Sequence, residues 1–204
     1  IGCLGEDVFG GELRQRLVEE KVDTGYMFTS KNAATGIALI QVDGKGQNSI
    51  AVASGANLFL TVEDVENALN EIGKFDALMM PLEIPLDVVE AAALVARGKG
   101  AKVILNPAPA QVLSPELMRI VNIIIPNEHE LATISGIPIE KPGNLEMAAD
   151  KLHKQGLAHL VVTLGSRGCY YSSGETRERF LLPAASVPVV DTTAAGDCFV
   201  AALT

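Results

Sequence analysis

Hydrophobic and polar positions along the chain follow two periods, one typical of helices and one typical of strands. Residues 6–20 carry Phe9, Leu13 and Leu17 at a spacing of four, which predicts an amphipathic helix. From residue 61 onward, helical patterns alternate with short apolar runs such as 77–80. Strands this apolar, separated by helices, are typical of a mainly parallel sheet covered on both faces. The pattern therefore predicts a three-layer α/β/α sandwich.

The boundaries of these elements can be set from the same pattern. The predicted strands are 77–80, 103–105, 121–125 and 160–164, and predicted helices run at 61–69, 86–97, 128–134 and 145–155, with another that begins at 114. Two stretches depart from the alternation. Residues 34–53 place alternating apolar residues on both sides of a Gly-containing turn at 43–46, which predicts a β-hairpin that forms a small lid. Residues 169–171 and 179–182 are also hairpin-like.

Composition limits the class of protein. The chain has 204 residues, of which 48% are hydrophobic and 20% are charged, as expected for one globular domain over residues 1–204. The net charge of −9 argues against nucleic-acid or anionic-membrane partners. The apolar runs are too short to span a membrane, and the three cysteines have no CxxC spacing. These features predict a cytoplasmic protein without disulfides or a zinc site.

Both ends of the sequence look cut. The first residue is Ile1 rather than Met, and the chain stops at Thr204 inside an apolar helical run. The sequence is therefore interpreted as a fragment of a longer protein.

The stretch 191–197, Asp-Thr-Thr-Ala-Ala-Gly-Asp, lies between an apolar run and a predicted helix. Small residues let such a helix begin close to another surface, with its free N–H groups turned toward whatever lies in front. A helix N-terminus of this kind suits an anion, particularly a phosphoryl group. Asp197 has a simpler explanation as a first-turn carboxylate that stabilises the helix dipole, and both explanations stay open.

Four polar clusters follow predicted strands, where ligands gather in open α/β sheets. They are 82–83, 106–109, 126–130 and 164–168. Each also has a structural explanation. Glu83 could be a surface charge, 106–109 a stiff exit from a strand, and 165–168 a plain turn. Asn127 could cap a helix, with Glu130 completing a capping box.

Together and in this order, these segments resemble the ribokinase-like (PfkB) family of carbohydrate kinases over nearly the whole chain. Residues 191–197 are similar to the family's C-terminal signature, 126–130 to its Asn-x-x-Glu motif, and 163–168 to its nucleotide-phosphate loop. Further segments resemble more narrowly the ribokinase branch of the family. They are 34–39, 46–50, 55–57, 82–83 and 106–110. One departure is Ala194, which stands where the family frequently has Gly.

The resemblance implies an ATP-dependent kinase that phosphorylates the primary hydroxyl of a sugar, with ribose as the expected substrate. Asp197 would be the general base, and the N–H groups of Ala194, Ala195 and Gly196 would cradle the moving phosphoryl group. Glu130 would hold Mg²⁺ through water. The implied nucleotide-binding residues are Asn127, Thr163, Gly165, Ser166, Arg167, Gly168 and Gly196.

The resemblance also implies a K⁺ site at Asp191 and the Thr193 carbonyl and a sugar contact from Glu83. Lid strands with exposed edges commonly pair with a partner, so a homodimer formed through the lid is expected. Two alternatives remain. One is another member of the family, acting on fructose, a nucleoside or a keto-sugar acid. The other is a non-catalytic sugar- or nucleotide-binding relative, although a binder would need no base at Asp197. A Rossmann dinucleotide-binding domain is excluded because no Gly-x-Gly-x-x-Gly follows an early strand.

Overall fold

A computed structural model describes residues 1–42, 48–189 and 192–204. The chain divides into two compact units, one formed by residues 1–73 and 83–92 and the other by 74–82 and 93–204. The interpretation of residues 1–204 as one domain stays a prediction.

The first unit begins with a parallel pair of short strands and a helix between them. Its elements are β1 (Gly2–Gly5), α1 (Val8–Glu19), β2 (Met27–Ser30), β3 (Ile37–Val42), β4 (Asn48–Ala53) and α2 (Val62–Ile72). The predicted helix over 6–20 is confirmed as α1, whereas the sequence pattern missed β1 and β2. The missed strands read Gly-Cys-Leu-Gly and Met-Phe-Thr-Ser, so neither forms a continuous apolar run like that at 77–80.

The predicted hairpin over 34–53 is present as the antiparallel pair β3–β4, in register from Ile37 opposite Ala53 to Val42 opposite Asn48. Its predicted turn at 43–46 lies outside the described residues. Several apolar side chains on the two strands face solvent, among them Leu39 at 67% and Val52 at 62% exposure.

The second unit holds a six-stranded sheet in the order β10-β9-β8-β7-β6-β5. Its strands are β5 (Ala77–Met80), β6 (Lys102–Leu105), β7 (Ile123–Ile124), β8 (His159–Thr163), β9 (Cys169–Ser173) and β10 (Arg179–Leu182). Strands β5 to β8 run parallel, and β9 and β10 continue the sheet antiparallel. The predicted α/β fold with a mainly parallel sheet is confirmed.

Helices lie between these strands and after the last of them. They are α3 (Leu86–Gly98), which begins in the first unit, and α4 (Pro115–Ile120), α5 (Glu128–Ser135), α6 (Asn144–Lys154) and α7 (Ala195–Leu203). The strand predicted over 121–125 is shorter than expected, because Val121 is the C-cap of α4 and donates its N–H to Leu117.

Both faces of the central sheet are covered. Leu160, Val161 and Val162 are successive residues of β8 that point alternately to opposite faces, and all three are buried. On one face, Val161 packs in a cluster with Ile104 and with Val200 of α7. Helix α7 therefore packs against this face of the sheet through Val200.

Among the described residues, no helix combines the length and the hydrophobicity that a bilayer crossing would require. The three cysteines are free thiols.

Candidate active site

The loop that follows β8 is a tight glycine turn. Gly165–Arg167 form one 3₁₀ turn, and the Leu164 N–H donates to the Gly168 carbonyl at 2.8 Å. Gly168 has a φ of +94°, and a Cβ at this position would overlap the Leu182 carbonyl oxygen. Only glycine fits there, so the turn closes directly against the end of β10.

The start of α7 is likewise built from small residues. Its N-cap is Ala194, which has a left-handed backbone with φ 59° and ψ 9° and offers no side-chain hydrogen bond to the helix. A left-handed backbone is unfavourable for alanine and readily adopted by glycine, so Ala194 holds a conformation better suited to glycine. The Ala195 N–H donates to the Thr192 carbonyl at 3.1 Å. The N–H groups of residues 194–196 are expected to cradle a phosphoryl group. That of Ala195 already donates a hydrogen bond in the turn that leads into α7.

The glycine turn and the start of α7 face one cavity of about 470 Å³. Gly165, Gly168, Ala195 and Gly196 all line it. Thr163, at the end of β8, also lines it. A cavity of this volume suits a small ligand.

The rest of the cavity wall was missed from the sequence. It consists of Cys169, Leu182, Pro183, Ala184 and Phe199. The register of the hairpin places Leu182 opposite Cys169. The hairpin predicted at 169–171 and 179–182 could have indicated most of this wall, because its second strand returns the chain to the glycine turn.

The start of α5 lies beside the end of β8. Asn127 forms a parallel bridge with Thr163, and the Thr163 N–H donates to the Pro126 carbonyl at 2.9 Å. Asn127 and Glu130 form the capping box that the sequence left open. The Glu130 N–H donates to Asn127 Oδ1 at 2.9 Å, and the Asn127 N–H donates to Glu130 Oε2 at 2.8 Å. The capping box offered as the structural explanation of this motif is therefore present.

A capping role alone does not account for the surroundings of Glu130. Its side chain is 9% exposed, and burial raises its pKa above the ordinary value for a glutamate. The Asn127 N–H and the charge of His129 lower this pKa, whereas the negative charge of Asp197 raises it further. Glu130 and Asp197 are thus within electrostatic reach of each other.

An ion pair links α5 to the glycine turn. Arg167 Nη2 donates to Glu128 Oε1, and this hydrogen bond raises the pKa of the guanidinium. The two side chains are 63% and 40% exposed, so the pair contributes little to stability by itself. Sequence reasoning assigned Arg167 but missed Glu128, which stands two residues before Glu130.

Other predicted site residues lie elsewhere or carry a structural explanation. Asn106 donates its N–H to the Met80 carbonyl and its side-chain amide to the Ile125 carbonyl, both at 2.9 Å. Asn106, which follows β6, therefore bonds the chain at the ends of β5 and β7. These bonds support its structural explanation as part of a rigid exit from the strand. Glu83 is exposed in the first unit, after β5.

The remaining predicted site residues belong to the glycine turn and to the predicted K⁺ site. Ser166 is exposed within the glycine turn. Asp191 lies outside the described residues, and Thr193 is exposed.

The described part of the chain contains no group of three or more His, Cys, Asp or Glu that could hold a metal ion. Glu130 accepts hydrogen bonds only from Asn127 among the contacts described, and a carboxylate has further acceptor positions. Because burial and Asp197 both disfavour its negative charge, a nearby cation would be favourable there.

Comparison with known proteins gives a consistent result. The chain matches the family described as pfkB family carbohydrate kinase over residues 1–204. A ribokinase of Haemophilus influenzae is 40% identical over 200 residues, which covers 98% of this chain and 64% of that relative. This chain therefore spans less than two thirds of the length of that relative.

Two solved structures are similar to this chain over almost its whole length. Ribokinase from Giardia lamblia has a TM-score of 0.87 at 28% identity and covers 98% of this chain and 62% of its own. Ribokinase from Arabidopsis thaliana, complexed with ribose and ATP, has a TM-score of 0.82 at 30% identity, with coverage of 99% and 66%.

Proposed function

Because this chain belongs to the pfkB family of carbohydrate kinases, we propose that it is the core of a ribokinase, which transfers the γ-phosphoryl group of ATP to the primary hydroxyl of ribose. The observation that carries the proposal is the cavity shared by the glycine turn and the start of α7. A phosphoryl group there would lie at a helix N-terminus whose first turn also carries Asp197, although Asp197 itself does not line the cavity.

Asp197 acts as the general base in this proposal. Its carboxylate accepts the proton of the sugar hydroxyl while the hydroxyl oxygen bonds to the γ-phosphorus of ATP. The bond between that phosphorus and the bridging oxygen breaks, and ADP leaves with this oxygen. Since phosphoryl transfer depends mainly on positioning and charge stabilisation, first-turn N–H groups such as that of Gly196 suit the charge on the moving group.

The residues at the ends of β7 and β8 would hold the nucleotide phosphates. Asn127 and Thr163 stand side by side at these ends, and Gly165 and Gly168 let the backbone approach a ligand closely. Ser166 and Arg167 complete the turn, with Arg167 oriented by Glu128.

Glu130 would hold Mg²⁺ through water, and Mg²⁺ when bound supplies positive charge that offsets the negative charge of the phosphates. A K⁺ ion would be held by Asp191 together with the Thr193 carbonyl. The support for K⁺ is the motif alone, because Asp191 lies outside the described residues.

Two further parts of the proposal concern the sugar and a partner subunit. Glu83 would contact the sugar, and the β3–β4 hairpin would act as a lid over it. The exposed apolar side chains of this hairpin suit a second copy of the chain, which supports a homodimer formed through the lid.

The test is an ADP-release assay of the full-length protein with ribose, 2-deoxyribose, fructose, adenosine and a keto-sugar acid. We expect the highest kcat/KM with ribose, and no turnover without Mg²⁺. A higher kcat/KM with another sugar would support the kinase activity but identify a different substrate. Binding of ATP and ribose without ADP release would identify a non-catalytic relative instead.

A further inference from the structure

Asp7 stands between β1 and α1 and is the N-cap of that helix. Its Oδ1 accepts the Gly10 N–H at 2.8 Å. This one hydrogen bond would be enough to explain an aspartate at this position, since Asp is among the preferred N-cap residues.

The same carboxylate also binds a residue 28 positions further along the chain. Asp7 Oδ2 accepts the Thr35 N–H at 2.7 Å, and Oδ1 accepts the Thr35 hydroxyl at 2.7 Å. The hydroxyl oxygen in turn accepts the Gly5 N–H at 2.9 Å. Thr35, which is 7% exposed, therefore joins the end of β1 and the start of α1 to the segment that leads into β3.

These contacts depend on backbones that approach each other closely. A Cβ at Gly10 would lie 2.9 Å from the Thr35 hydroxyl oxygen, and a Cβ at Gly5 would overlap the backbone of Thr35. The segment 33–35 thus rests directly on the backbone of the β1–α1 junction, with no side chain between them.

The other strand of the hairpin returns to the same place. The Ala56 N–H, just beyond β4, donates to the Ala34 carbonyl at 2.8 Å. Ala56 is fully buried, whereas Leu39 and Val52 further along the hairpin are exposed. The contacts of residues 34–35 with Asp7 and Ala56 therefore hold the base of the hairpin in place and orient the hairpin.

We propose that Asp7 and Thr35 are positioning residues for sugar binding, because they fix the base of the β3–β4 hairpin on the β1–α1 junction. The inference rests on the proposed function of this hairpin as a lid over the sugar. Neither side chain needs to touch the substrate. If the base is loosened, the free lid samples more orientations, and the fraction competent to bind sugar falls.

The test compares Thr35→Val with Thr35→Ser in the full-length protein. Valine keeps the volume but removes the hydroxyl that bonds both Asp7 and Gly5, whereas serine keeps the hydroxyl and is the matched control. Loss of one to two buried hydrogen bonds predicts about a tenfold rise in the KM for ribose in the valine variant. We expect kcat and the KM for ATP to stay within about twofold of wild type, and the serine variant to restore the KM for ribose.

A second measurement is independent of activity. Hydrogen exchange of β3 and β4 should be faster in Thr35→Val than in wild type and Thr35→Ser, because a loosened base exposes the hairpin amides. A lower melting temperature with unchanged exchange and an unchanged KM for ribose would show that Thr35 is only structural, and would overturn the proposal.

If Thr35→Val does not fold, Asp7→Asn serves the same purpose. Asparagine can still accept the Gly10 N–H, but it then turns an NH₂ group toward the Thr35 N–H. Failure of the wild-type protein to phosphorylate any sugar would refute the proposed function, while the exchange comparison would still decide whether Asp7 and Thr35 hold the hairpin.

Discussion

Replacing Asp197 with asparagine separates the two explanations of this residue. Asp197 lies in the first turn of α7 and is exposed. Asparagine keeps the shape of the side chain and one acceptor oxygen, but it cannot take a proton from a sugar hydroxyl. The variant therefore removes the proposed base with little change in packing.

The two explanations predict effects of different size. General-base catalysis contributes about 10²–10⁴-fold, so kcat should fall by roughly that factor while the KM values for ATP and ribose change little. A first-turn carboxylate that only interacts with the helix dipole contributes about 0.3–1 kcal/mol to folding. Loss of that interaction would lower the melting temperature by no more than about 4 °C in a domain of this size and would leave turnover near normal.

The assay measures kcat and the melting temperature of the same full-length variant. Asp87→Asn is a matched control, because Asp87 is also an exposed first-turn aspartate, in α3. We expect the control to lose at most the small stability increment and to keep its kcat. A stably folded Asp197→Asn variant with more than about a tenth of wild-type kcat would refute the assignment of the base.

Three further predictions concern the neighbouring groups. Because burial raises the pKa of Glu130, its ionised form carries a cost in the folded state at neutral pH, and this cost disappears as the pH falls through the raised pKa. Glutamine has no such pH-dependent cost but turns an NH₂ group toward Asn127, whose N–H and side-chain amide both donate to the carboxylate; calorimetry should therefore show the melting temperature of the wild type rising relative to that of Glu130→Gln as the pH falls below neutrality, and the variant should need more Mg²⁺ for half-maximal rate. Gly168→Ala should lower the free energy of unfolding by about 1–3 kcal/mol in urea titrations, since its φ of +94° and its contact with Leu182 leave no place for a Cβ. Potassium should raise kcat above the value in sodium if Asp191 and Thr193 form the cation site, and equal rates in the two salts would contradict that assignment.

The sequence was most informative where a feature depends on residues close together in the chain. The predicted strand over 77–80 is observed with the same bounds as β5, and the capping box of Asn127 and Glu130 is present with both of its hydrogen bonds. These features are local, since each depends on residues within a few positions of one another. The glycine turn was likewise recognisable, because Gly168 must adopt a backbone that other residues disfavour.

Features that depend on distant pairing were not recognisable. Strand β1 owes its assignment to a parallel partner some 25 residues away, at Met27–Ser30, and neither short strand shows a period of its own. The bond between Asp7 and Thr35 crosses 28 residues, and the ion pair between Arg167 and Glu128 crosses 39. In each case the residue types are ordinary, and only the tertiary fold brings them together.

The start of α5 shows why a structural and a functional explanation of one motif can both hold. The capping box satisfies the first N–H groups of the helix, and an exposed glutamate would do this without cost. Glu130 is instead buried, and both its burial and the charge of Asp197 raise its pKa, so its ionised form carries a cost in the free protein. A cation bound near Glu130 would remove this cost. Stabilisation by Mg²⁺ and ATP should therefore be larger in the wild-type protein than in Glu130→Gln, whereas a purely structural Glu130 would give the same stabilisation in both.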